Sequence, residues 1–281
     1  MTWDIDPPAD GNCRTPTPDG CVVDLWLIDL DADQAVDATV FTTAEVERAE
    51  RYRFERDRRR FIAGRWAQRR IMAAGLGVDV RSVSFAGGVQ DKPKPLVNEA
   101  PAPLAMSYSR SAEVGALAIA ADGALGIDIE AIEPVAEASL VAGRHFTPGE
   151  RSALRRACRS HEGSGDAGDP RSFLQIWSAK EAALKALGIG LAGDLASLDA
   201  SAAVTGPTTE TSSAHAFVIR ALAPSTRPQD GGDWQARALT FAGRGGRNAG
   251  FLACIVADRP VNAVAIRWFD EAPGDVVMKH R

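Results

Sequence analysis

Residues Leu125 to Glu130 alternate without a break: Leu125, Ile127 and Ile129 on one set of positions, Gly126, Asp128 and Glu130 on the other. A period of two belongs to a strand with one buried face, so the pattern predicts a strand carrying Asp128 and Glu130 on the same side, about 6.5–7 Å apart. Two carboxylates then share one small space. Roughly fifty residues on, Trp177 to Lys185 is built from strong helix formers. A 3.6-residue period puts Trp177, Glu181 and Lys185 on one side of that helix, with Lys180 about 100° around from Glu181. A third carboxylate and two ammonium groups can therefore approach the first pair. Three carboxylates around one point repel unless a hard cation joins them, and Mg²⁺ takes a few oxygen ligands while leaving positions for water and phosphate oxygens. Taken singly, an Asp-x-Glu strand is commonly a solvated edge, and Glu181 with Lys185 a common helix-surface pair. Their joint occurrence points instead to magnesium-assisted chemistry on a phosphate.

Composition narrows the class. At 281 residues and 45% hydrophobic, the chain can bury a sizeable core as one large domain or two ordinary ones. Cys13, Cys21, Cys158 and Cys254 are scattered and lack His at metal-ligand spacing, which argues against zinc or a disulfide framework and fits a reducing, cytoplasmic setting. The acidic, proline-containing segment Met1 to Asp10 has no apolar signal region, and no apolar run is long enough to span a membrane. A net charge of −5 argues against general nucleic-acid binding. The charge is uneven, however: ten arginines face five acidic residues between Glu45 and Arg70.

Along the chain, Val22 to Leu30 alternates as a strand, and Thr42-Thr43-Ala44-Glu45 reads as a capped helix start. The helical pattern runs on through the arginines, and from Arg59 to Ala74 an apolar stripe has arginines along its margin; Gly75 and Gly77 end it. Strands are expected at Val80 to Phe85, Leu104 to Ser109 and Val114 to Ala120, before the acidic strand. The second half follows with helices at Pro148 to Cys158 and Phe173 to Leu187, a Gly/Ser/Asp loop between them from Glu162 to Asp169, and strands at Ala216 to Ala221, Gln235 to Phe241, Phe251 to Val256 and Val264 to Trp268. Each half would have a small sheet with a long helix across it. Ala196 to Ser213 and Pro224 to Gly232, poor in large apolar residues, read as surface excursions. Trp66 and Trp177 read as core anchors, and His145, His161, His215 and His280 as structural or exposed.

The motifs Gly126-Ile127-Asp128-Ile129-Glu130 and Trp177-Ser178-Ala179-Lys180-Glu181-Ala182-Ala183-Leu184-Lys185, followed by Gly188-Ile189-Gly190-Leu191, resemble the signatures of the 4′-phosphopantetheinyl transferase superfamily. Upstream, Lys92-Pro93 followed by Ser107-Tyr108-Ser109 is similar to that family's K-P…S-H-S segment, and Asp57 to Gly64 to its arginine-bearing helix. The resemblance runs from about Arg48 to Leu191, in a chain of the length of the longer, pseudo-dimeric type. One departure is Tyr108, where the family has a His that contacts a coenzyme A phosphate. A phenol donates one hydrogen bond but carries no positive charge, so phosphate binding there is expected to be weaker or differently arranged.

The resemblance implies an α+β (α/β) fold of two similar subdomains, 1–124 and 125–281, each a small mostly antiparallel sheet packed by a long helix. A pseudo-twofold would relate them, with the active site at their junction in a monomer. It implies transfer of the 4′-phosphopantetheine group from coenzyme A, the co-substrate, to a serine of an acyl or peptidyl carrier protein, releasing 3′,5′-ADP. Asp128, Glu130 and Glu181 would hold Mg²⁺, or Mn²⁺ in its place. Glu181, directly or through metal-bound water, would accept the serine proton, Lys185 would neutralise or protonate the leaving 3′,5′-ADP, and Asp128 would complete the catalytic set. Coenzyme A would be bound by Arg48, Arg53, Arg60, Lys92, Ser107, Tyr108, Lys180 and Lys185. Lys180 would contact phosphate or brace the carboxylates. Carrier proteins of this kind are usually acidic, so the cationic stretch from Arg48 to Arg70, or a hydrophobic patch beside the cleft, is a candidate surface for steering them. Two other readings use the same residues: a metal-dependent hydrolase of coenzyme A or nucleotide pyrophosphates, and a degenerate carrier-binding homologue, which Tyr108 motivates.

Overall fold

A computed structural model of the chain describes residues 20–87, 92–160, 170–189, 193–204, 215–244 and 250–269. Its elements, in chain order, are β1 (Cys21–Asp29), α1 (Thr43–Glu50), α2 (Glu55–Leu76), β2 (Val83–Ala86), β3 (Lys94–Val97), β4 (Ala100–Pro101), β5 (Ala105–Ser111), β6 (Val114–Ala120) and β7 (Leu125–Ala131). Then follow α3 (Ala138–His145), α4 (Pro148–Ser160), α5 (Pro170–Leu187), β8 (Leu198–Asp199), β9 (His215–Ala221), β10 (Trp234–Phe241), β11 (Phe251–Ala257) and β12 (Val261–Phe269). The fold is α+β. One sheet has the order β12-β1-β6-β5, a second β7-β11-β10-β9-β8, and β2-β3-β4 form a third. The runs β1-β6-β5 and β7-β11-β10 repeat one antiparallel connectivity, first strand beside the last strand of a closing hairpin.

Side-chain alternation stacks these sheets. Val23, Leu25 and Leu27 of β1 and Ala116 and Ala118 of β6 pack with Leu125, Ile127 and Ile129 of β7 and Ala253 and Ile255 of β11, so the two large sheets share one apolar interface. The outer face of the first sheet, with Trp26, Ile28, Leu117 and Ile119, is covered by Ala63, Ala67, Ile71 and Met72 of α2. On the outer face of the second, Cys254 and Val256 meet Ile176, Ala179, Ala182 and Ala183 of α5. The layers run helix, sheet, sheet, helix. Period-two strands bury both faces here because each sheet has a partner on either side.

This differs from the half-buried strand expected at β7: Gly126 and Asp128 are buried as well as Ile127 and Ile129, since α5 lies on the acidic face. The expected Thr42 cap is present in full, Thr42 accepting from the Glu45 amide while the Glu45 side chain accepts from the Thr42 amide. The helical run through the arginines is broken at Arg51 to Phe54, and Gly75 lies inside α2, which closes at Gly77 with a φ of 65°. Val80–Ser82 is a turn of 3₁₀ helix rather than strand. Of the excursion expected from Ala196, the described residues include Leu198, Ala200 and Ala203 with no exposed surface, so that stretch supplies core. Helix α3 has no counterpart in the sequence reading. The final strand, β12, returns to pair in parallel with β1. The Glu162–Asp169 loop, Cys13, His161, Gly190, Leu191 and His280 lie outside the described residues. Among the described residues no helix is long and apolar enough to cross a membrane.

Candidate active site

The acidic face of β7 meets α5 at very short range. A Cβ placed on Gly126 would lie 1.9 Å from the Ala182 carbonyl oxygen and 2.7 Å from the Ala186 nitrogen, so the helix backbone rests directly on the strand there. Ala179, Ala182 and Ala183, all without exposed surface, allow the approach. With the crossing point set at Gly126, the next acidic position along the strand, Asp128, faces Glu181 and Lys185 one helical turn apart. Lys185 Nζ lies 2.7 Å from Asp128 Oδ1.

Strand β5 contributes a row of hydroxyls in step with the carboxylates. Ser107 Oγ accepts from the Ile127 amide at 3.1 Å, Ser109 Oγ donates to Asp128 Oδ1 at 2.9 Å, and Ser111 Oγ donates to Glu130 Oε2 at 2.8 Å while accepting from the Ala131 amide. Lys185 Nζ also donates to Ser109 Oγ at 2.8 Å. Of the three serines, Ser109 stands in the sequence motif without an assigned role and Ser111 lies beyond it, although their alternation on β5 matches that of the acids on β7.

Two carboxylate oxygens in this cluster, Asp128 Oδ2 and Glu181 Oε1, are buried without a hydrogen-bond partner. Burial pushes the Glu181 carboxyl up to about 7, with Asp128 and Glu130 adding to the rise and Lys185 opposing it. Glu130 is also raised, first by burial and then by Asp128, against the Ser111, Lys185 and Trp177 side chains. Among the described residues no three His, Cys, Asp or Glu side chains close on one point in a way that could hold a metal ion as they stand. The chemistry of the donors nevertheless fits Mg²⁺: oxygen atoms only, two of them buried and unanswered, on carboxylates that disfavour one another's charge. A pH prediction follows for the metal-free protein. The folded state holds a proton on Glu181 up to about 7 whereas the unfolded chain releases it near 4.5, so this group lowers stability as pH rises through that window. In EDTA, the Tm of the wild type should fall over that range, and Glu181→Gln should flatten the slope.

Other residues expected at the site are placed variously. Lys92 donates to the Leu125 carbonyl at 2.6 Å, and burial lowers its ammonium to about 8, so it stands at the start of the acidic strand. Arg60 does not offer itself to a ligand: it forms a two-pronged pair with Asp31 at 2.7 and 2.6 Å. Arg48 is half-buried over the Phe61 ring and Arg53 is exposed over Phe54. Arg65 and Arg69, expected at a helix margin, are buried around Glu45, and burial lowers the Arg65 guanidinium to about 10. Tyr108 points to the other face of β5 from its serine neighbours. Its hydroxyl is enclosed without a partner, and a Cβ on Gly64 of α2 would sit 2.4 Å from it. Burial pushes that phenol up to about 12. It is a packing residue between α2 and the sheet, not a lining of the acidic cluster.

Lys180 needs the clearest correction. It has no exposed surface; its Nζ binds Glu150 Oε2 at 2.5 Å and the His145 carbonyl at 2.9 Å, over the Phe146 ring. Glu150 in turn accepts from the Thr147 and Ala200 amides at 2.7 Å each. Lys180 therefore braces a carboxylate, but one that ties α5 to the start of α4 and the turn at Ala200. Because removing one partner leaves a buried charge, Lys180→Met should cost about 3–5 kcal/mol in denaturant unfolding, and Lys180→Met with Glu150→Gln should recover part of it.

Beside Glu130 opens a cavity of about 480 Å³, lined by Ser111, Pro134, Val135, Val141, Phe173 and Trp177 among others. Trp177, expected as a core anchor, is half-buried at this wall, stacked on Phe173 with ring centres 6.3 Å apart; Trp66 is in the core as expected. The cluster thus has a polar floor of carboxylates and serines, one partly exposed ammonium, and an apolar annex.

Comparison with known proteins bears on what this arrangement is for. Residues 124–236 match the family model described as the 4′-phosphopantetheinyl transferase superfamily. The chain is 34% identical over 175 residues to the 4′-phosphopantetheinyl transferase HetI of Nostoc sp., covering 60% of this chain and 70% of that one. It is 31% identical over 156 residues to a putative 4′-phosphopantetheinyl transferase of Synechocystis sp., covering 56% of this chain and 60% of the relative. The 4′-phosphopantetheinyl transferase psf-1 of Bacillus pumilus is 31% identical over 154 residues, which is 54% of this chain and 60% of that protein.

Proposed function

The chain is an enzyme that belongs to the 4′-phosphopantetheinyl transferase superfamily, and we propose that it moves the phosphopantetheine group of coenzyme A onto a serine of an acyl or peptidyl carrier protein. The observation that carries this reading is the convergence of Asp128, Glu130, Glu181 and Lys185 where β7 meets α5, with two buried carboxylate oxygens unpartnered. Attack of an alcohol on a pyrophosphate involves little covalent chemistry by the protein; positioning and neutralisation of charge do most of the work.

Asp128, Glu130 and Glu181 would hold Mg²⁺, which supplies Lewis-acid polarisation of the phosphate oxygens when bound. Glu181 would take the serine proton. Lys185 supplies its ammonium to the departing 3′,5′-ADP. Ser109 and Ser111 hold Asp128 and Glu130 in place. Lys92, at the edge of the site, is the upstream cation best placed to meet a ligand phosphate, whereas Arg60, Lys180 and Tyr108 are engaged elsewhere. The carrier would approach over the exposed arginines between Arg51 and Arg59.

The test is the intact mass of an apo carrier protein incubated with the enzyme, coenzyme A and Mg²⁺. A gain equal to one phosphopantetheine group, absent with EDTA, supports transfer. Release of 3′,5′-ADP with no carrier modified would favour hydrolysis instead.

A further inference from the structure

Asp128 has two carboxylate oxygens in different states. Oδ2 is buried and unpartnered, while Oδ1 accepts from both the Lys185 ammonium and the Ser109 hydroxyl, which are themselves 2.8 Å apart. The Asp128 side chain is 6% exposed and the Lys185 side chain 25% exposed, so the pair is screened from solvent on the acid's side and open on the cation's. A cation in contact with a buried carboxylate neutralises it and competes with any other cation for the same oxygen.

We propose that Lys185 is a resident counter-cation that neutralises Asp128 through Oδ1 and so weakens its hold on a metal until a phosphate draws the ammonium away. The inference rests on the reading that Asp128, Glu130 and Glu181 hold a divalent cation. Three features support it. The ammonium sits on a carboxylate oxygen within the cluster that the metal needs. Ser109 completes a triangle that holds Lys185 in this place without a ligand. The lysine stem is flexible and partly exposed, so its head can leave the triangle without disturbing the packed helix. Loading is then coupled: the phosphate takes the ammonium, and Asp128 is released to the metal. By linkage, metal and anionic substrate each tighten the other.

Mn²⁺ alone is the probe, its free concentration followed by electron paramagnetic resonance in a titration without coenzyme A. Lys185→Met should bind Mn²⁺ at least about tenfold more tightly than the wild type, and Lys185→Arg should stay near wild type. In an Asp128→Asn background the gain from Lys185→Met should vanish, which separates this contact from a general change of charge. Lys185→Gln serves as a second neutral variant if the methionine variant is unstable. If the wild type binds Mn²⁺, Asp128→Asn weakens it, and both neutral variants stay within about twofold of wild type, the inference is overturned while the metal-site reading stands. Absence of Mn²⁺ binding in every variant overturns both, and the carrier mass assay then tests transfer independently.

Discussion

Glu181→Gln is expected to reduce carrier modification by about 10²–10⁴-fold while leaving the fold intact or more stable. The substitution preserves shape, so the alanine-lined contact between α5 and β7 persists. It removes a carboxylate whose proton affinity burial raises, with Asp128 and Glu130 adding to the rise, and it gives a buried, unpartnered oxygen an amide neighbour on the same side chain. Repulsion from Asp128 and Glu130 is relieved in the absence of metal, which should raise Tm in EDTA. Activity and stability therefore move in opposite directions, as they do where a site holds charge that the fold alone does not favour. Single-turnover transfer, read by carrier mass, against Tm on the same preparations would check both. A variant that lost activity and Tm together would show Glu181 to be a structural residue.

Gly126→Ala should have an effect of similar size by another route. The added methyl would meet main-chain atoms of Ala182 and Ala186, which no rotamer change can clear. Overpacking of this kind costs typically 1–3 kcal/mol, and more where backbone must shift. Relief requires α5 to move outward, carrying Glu181 and Lys185 away from Asp128. A displacement of about 1 Å at a reacting centre can lower the rate about a hundredfold. Gly126→Ala should thus lose transfer beyond what its fraction folded explains, seen by comparing kcat per folded molecule, from a calorimetric melt, with wild type. Full activity per folded molecule would mean that the strand and helix are not held by this contact.

What the sequence made legible was whatever is encoded locally. The alternation of β7, the helix-forming run of α5 and the Thr42 cap each lie within a few residues of one another, and all three are present. Helix α3 was missed because it lacks those signals: it starts after Glu137 in a left-handed conformation, with no capping side chain. The parallel pairing of β1 with β12 links residues more than two hundred positions apart, a separation on which local periodicity is silent. Polar residues divided the same way. Glu181 and Lys185 were placed correctly by helical period, but Lys180 needed knowledge of Glu150, which α4 brings from thirty residues upstream. Arg60, Arg65 and Arg69 look alike in a cationic run, and only tertiary contacts with Asp31 and Glu45 show that they are tied up inside the protein. Ser109 and Ser111 carried a readable signal, since hydroxyls spaced by two on β5 matched acids spaced by two on β7.

The return of β12 to β1 has a consequence for how the molecule is made. During synthesis the first sheet emerges with β6 and β5 in place on one side of β1, but its other edge stays bare until residue 269 has left the ribosome. A nascent chain therefore displays an apolar strand edge throughout translation of the whole second half, a period in which unpaired edges recruit one another. The second sheet has all its strands by Ala257, before the first is closed. The junction where β7 meets α5 is consequently assembled in a body that closes only with its last strand, and premature termination anywhere upstream of Val261 leaves a sheet open rather than a shorter working enzyme.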